Sequence, residues 1–86
     1  MGLDSIELIV TLEEKFGIEI PNEDAAKLAV LGDLHSYVVR ALQRRGEKPD
    51  EAAIWESIKE TVVELLCVRP ERVTRSAHVV LDLGAA

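Results

Sequence analysis

Residues 4–21 read Asp4-Ser5-Ile6-Glu7-Leu8-Ile9-Val10-Thr11-Leu12-Glu13-Glu14-Lys15-Phe16-Gly17-Ile18-Glu19-Ile20-Pro21, and this stretch decides the fold. Asp4 followed three residues later by Glu7 has the form of a capping box, so a helix is expected to open here. Leu8, Ile9, Leu12 and Phe16 recur at helical spacing, with Glu7, Glu13 and Glu14 between them. Gly17 can end the helix in a left-handed conformation. Ile18-Glu19-Ile20 is expected to be a short extended link, because Pro21 keeps Ile20 out of the helical region.

Working outward, Asn22 to Leu28 suits a short helical turn. Gly32-Asp33 is expected to cap a further helix to about Arg44, with a stripe of Leu34, Tyr37, Val38, Ala41 and Leu42. Arg40, Arg44 and Arg45 crowd its last turn, where cations suit the helix dipole. Gly46 to Pro49 reads as a hinge or linker. Pro49 or Asp50 starts the longest helix, to about Leu66, with Ile54, Ile58, Val62, Leu65 and Leu66 buried and Trp55 at the edge. Cys67 to Ala86 is a long connection with aliphatic anchors at Val68, Val73, Val79, Val80, Leu81 and Leu83; such loops pack down or carry function. The expected fold class is all-α, a small three-to-four-helix bundle with three main helices and a minor one.

The 86 residues make one small domain, 1–86. A chain this short buries only about 60% of its unfolded surface. The compensating feature is a 48% hydrophobic content, nearly all aliphatic, since the aromatics are only Phe16, Tyr37 and Trp55. Cys67 is the single cysteine, which excludes an internal disulfide and a cysteine-based zinc site. No apolar run approaches a membrane span and no signal peptide opens the chain, so a cytoplasmic location away from membranes is expected. Residues 1–39 hold eight acids against two lysines, and so all of the net charge of −6; residues 40–86 hold eight acids and eight bases. Such a distribution argues against nucleic acid and suits a partner with a basic surface, or simply a solvated face.

Two stretches resemble acyl carrier proteins. One is residues 4–42, with its run Glu7-Leu8 to Pro21; the other is residues 54–85, with Val68, Pro70-Glu71, Val73-Thr74 and then Asp82-Leu83-Gly84. In that family the second of these comes first and leads straight into the serine that carries phosphopantetheine. Residues 1–45 thus resemble the family's C-terminal half and 50–86 its N-terminal half, with 43–53 as a joining segment. The resemblance implies a circular permutation cut at the prosthetic-group site; a piece spanning two tandem carriers, or a dimer exchanging halves, are the other origins open. Exposed linkers and neighbouring termini make permutation tolerable.

The serine admits two registers. If Gly2-Leu3-Asp4-Ser5 is the family's attachment motif, Ser5 bears the 4'-phosphopantetheine, but the helix is then three residues short. If Leu3 to Leu8 aligns without a gap, Gly2 stands at the serine's place and Ala86 near its aspartate, and Ser5 is an ordinary first-turn residue. The ungapped register is favoured, because the rest of both stretches aligns with little or no gap. A phosphodiester on Ser5 would meet the unpaired N–H groups of a helix N-terminus.

The resemblance implies a carrier that holds acyl groups as thioesters on 4'-phosphopantetheine for fatty-acid or polyketide-type synthesis. Its alternative is a carrier-fold interaction or scaffold module without the attachment serine. Asp4, Glu7, Glu13 and Glu14 match positions where the family presents acids to basic surfaces of acyl-processing enzymes and of the phosphopantetheinyl transferase. No catalytic machinery is legible. His35 and His78 have no second ligand at metal spacing and are expected at the surface or boundary. Cys67 is expected to be a small buried apolar residue, without a group placed to activate it. Glu13 and Glu14 point to different sides of their helix. A monomer or a segment-swapped dimer is expected.

Overall fold

The computed structural model describes residues 3–85, and those residues are helical and loop, with no strand beyond a single bridge. The elements in order are α1 (Leu3–Phe16), α2 (Asn22–Ala25), α3 (Leu31–Arg44), α4 (Glu51–Leu66) and a 3₁₀ turn at Pro70–Arg72. The all-α bundle expected from periodicity is therefore the observed architecture. The longest helix, α4, packs against both α1 and α3. Leu8 and Leu12 of α1, Leu34 and Val38 of α3, and Ile58 and Val62 of α4 are essentially sealed from solvent at the centre. Burial of these aliphatic side chains supplies the main drive for folding, at about 1.5–3 kcal/mol each.

Local chemistry sets the helix ends, and it does so in three different ways. Gly17 ends α1 at φ +64°, and the N–H of Ile18 donates to the carbonyl of Glu13 at 3.1 Å, which closes the last turn. Arg45, just past α3, donates through one guanidinium nitrogen to the carbonyls of Phe16 and Gly17 and pairs with Glu47 at 2.7 Å. Asp50 caps α4, its carboxylate accepting from the N–H groups of Ala52 and Ala53.

The start of α3 departs from expectation. Gly32-Asp33 does not cap it; the helix begins at Leu31 after an extended Val30, with no side-chain cap. The connection 67–85 takes over that task. Leu31 N–H donates to the carbonyl of Ala77 at 3.0 Å and Gly32 N–H to that of Arg75 at 2.7 Å, while Val79 N–H donates to Ala29 at 2.8 Å. Loop carbonyls thus satisfy helix donors that would otherwise be orphaned. Asp4 likewise sits inside the first turn of α1 rather than ahead of it, where its charge still suits the dipole.

Three further expectations are corrected. His35 is buried, because its ring fills the gap between α3 and α4, edge-on to Trp55 at 5.7 Å, with Nε2 2.8 Å from the carbonyl of Glu51. Cys67 is exposed, because it ends α4 at φ +54° and so turns out of the helical stripe. Leu81 is 80% exposed and Val80 half so, whereas Val73, Val79 and Leu83 do anchor the connection.

Leu12→Ala or Ile58→Ala is expected to cost about 2–5 kcal/mol in urea-induced unfolding, since both side chains are wholly buried. At Gly32 an added Cβ would lie 2.8 Å from the carbonyl oxygen of Arg75. Gly32→Ala should therefore lower stability by about 1–3 kcal/mol despite alanine's better helix propensity, and an unchanged unfolding midpoint would contradict the clasp.

Candidate functional site

The helical spacing of Ser5, Leu8 and Ile9 turns all three to one side of α1, where they wall a cavity of about 180 Å³. Ala25 of α2 and Ala26 just past it line one side, Leu34 of α3 and Val79 and Val80 of the C-terminal connection the others. The alanines keep the α2 wall low, so that space remains between the elements. Two polar contacts hold that wall in place. Tyr37 of α3 donates its hydroxyl to Asp24 at 2.8 Å, and Glu13 accepts from the backbone of Ile20 at 3.0 Å.

The opposite wall is shaped by His78. Its Nδ1 accepts from the N–H groups of Val80 and Leu81, both at 3.1 Å, so that ring carries its hydrogen on Nε2. In return Asp82 accepts from the N–H of His78 at 2.7 Å. This is the reciprocal logic of a capping box with histidine in the capping place. Arg72 further donates to the carbonyl of Asp82 at 2.6 Å. Sequence reasoning missed His78 because histidine is not among the usual capping residues. The His-x-x-x-Asp spacing was the available signal.

Ser5 is 7% exposed, and its hydroxyl has no hydrogen-bond partner. It belongs to the first turn of α1 and faces the cavity. Gly2 and Ala86, which the ungapped register places at the attachment motif, lie outside the described residues.

The four acids of α1 are not equivalent. Glu7 and Glu14 are exposed; Asp4 and Glu13 are half-buried, and the carboxylate of Glu13 is already engaged with Ile20. Exposed Ile6 (48%) and Val10 (44%) stand on the same helix beside a shallow groove that Ile20 and Glu13 also line. Among the described residues no helix is long and apolar enough to cross a membrane, and no three metal-ligating side chains gather.

Ser5→Ala is expected to leave the unfolding midpoint unchanged or to raise it, because the hydroxyl makes no bond and alanine is the better helix former. By contrast, His78→Ala should lower stability by about 1 kcal/mol, as the loss of a cap does. Chemical denaturation of both variants checks the pair.

No protein-family model matches the chain, and no solved structure matches it either. Curated proteins do match. The acyl carrier protein of Wolinella succinogenes is 56% identical over 37 residues, which are 43% of this chain and 49% of that protein. Those of Helicobacter acinonychis and Helicobacter pylori strain G27 are 58% and 56% identical over 37 residues, again 43% of this chain and 47% of each of those proteins. The chain thus spans about half the length of the curated relatives it matches. Through that 37-residue stretch, the chain is similar to acyl carrier proteins.

Proposed function

We propose that this chain is a non-enzymatic carrier-fold module that shelters the aliphatic part of an acyl group in the cavity behind α1. The observation that bears most weight is the half-open pocket behind α1: about 180 Å³, lined mostly by aliphatic side chains from four parts of the chain. Similarity to acyl carrier proteins supports the same reading. The exposed Glu7 and Glu14, next to Ile6 and Val10, would meet acyl-processing enzymes that present basic residues around an apolar patch.

The segment order fits a permuted carrier. The connection that ends in Asp82-Leu83-Gly84 reaches the same cavity as the first turn of α1. In the family's order those two pieces of chain are continuous. Here residues 45–50 join the other ends instead, between α3 and α4.

The family implies 4'-phosphopantetheine, which supplies a thiol for thioester formation. Ser5 does not fit as its anchor in this conformation. Its hydroxyl is buried, so a transferase would reach it only after the first turn of α1 opened. Burial therefore favours the register in which Ser5 is a wall residue. The rival reading, with the arm on Ser5, draws on its place in the first turn of α1, where a phosphodiester would meet unpaired N–H groups.

Intact mass after incubation with coenzyme A and a broad-specificity phosphopantetheinyl transferase separates the two. No gain is expected while an ordinary carrier is modified in parallel. A gain of one phosphopantetheine, lost in Ser5→Ala, would establish the rival.

A further inference from the structure

The cavity behind α1 has one polar side chain, and that side chain is unpaired. Ser5 lines it, is more than nine-tenths buried, and has the one buried side-chain N or O without a hydrogen-bond partner among the described residues. Thr61, the other buried hydroxyl, is fully engaged: it donates to the carbonyl of Ser57 and accepts from Lys15, both at 2.9 Å. A hydroxyl stripped of water without a partner is costly, and any ligand atom that bonds to it recovers part of that cost.

The dimensions narrow what could do so. The pocket is half open and holds about 180 Å³, room for a guest of about six carbons. A plain hydrocarbon chain would fill the space but leave the hydroxyl unpaired. A chain bearing a carbonyl would accept from Ser5, and one bearing a hydroxyl could donate to it, since serine does both.

We propose that Ser5 is a specificity-determining residue, selecting aliphatic chains that carry a carbonyl or hydroxyl oxygen within the part the cavity encloses. This rests on the reading of the cavity as the place of the acyl chain. Selection is by hydrogen bonding alone; no covalent step is involved. A site built around a hydrogen bond discriminates against ligands that lack the partner more sharply than an apolar wall discriminates by size.

Two isosteric probes test it, hexan-2-one and 2-methylhex-1-ene, which differ in C=O against C=CH₂. Each is titrated into the full chain, the amide NMR shifts of Leu8 and Val79 reporting occupancy. Ser5→Ala should weaken the ketone about three- to tenfold and leave the alkene within about twofold, and Ser5→Thr should restore the ketone. If both probes bind and Ser5→Ala changes them equally, selection by Ser5 is overturned and the cavity reading stands. If neither probe moves those amides, the cavity reading falls, and the proposal with it.

Discussion

Three backbone hydrogen bonds between the C-terminal connection and the start of α3 hold the rest of this structure in place. They run between Ala29–Gly32 and Arg75–Val79, and the shortest, at 2.7 Å, needs a residue without a side chain at position 32. The clasp does two things at once. It satisfies donors at the head of α3, and it lays Val79 and Val80 across the mouth of α1 as a cavity wall. Without it, a connection of this length would have little reason to adopt one path, because its anchors are a few small aliphatic side chains.

The legible part of this fold is the part in which side-chain pattern decides. The stripes Leu8-Leu12 and Ile58-Val62 fell on buried faces, α4 opened one residue past Asp50, one of the two starts expected, and Gly17 closed α1 in the left-handed region. Illegible were the positions governed by partners distant in sequence. Val30 lacks any capping side chain, yet α3 starts after it because loop carbonyls arrive from more than forty residues away. His35 is buried because Trp55 and the carbonyl of Glu51 await it on another helix. Cys67 and Leu81 look apolar in sequence and are exposed, since a turn rather than a periodic element decides where they point.

The candidate site divides in the same way. The apolar face of α1 could be read from spacing, and the asymmetry of charge from counting. That Ser5 belongs to the apolar face could not, because a first-turn serine is ordinarily a solvated or capping residue. Nor could the division among the acids, in which Glu13 serves the backbone of the 17–21 link while Glu7 and Glu14 are exposed. Backbone geometry, which sequence periodicity does not encode, makes both distinctions.

Arg45 also bears on the kinetics of folding. By holding the carbonyls at the end of α1 and pairing with Glu47, it pins the beginning of the joining segment against the opposite half of the chain. A pinned tether differs from a slack one of the same length: it narrows the range of positions from which α4 can meet α1. Because the contacts are exposed and partly ionic, raising the ionic strength would loosen the pin first at its Glu47 side and lengthen the effective tether.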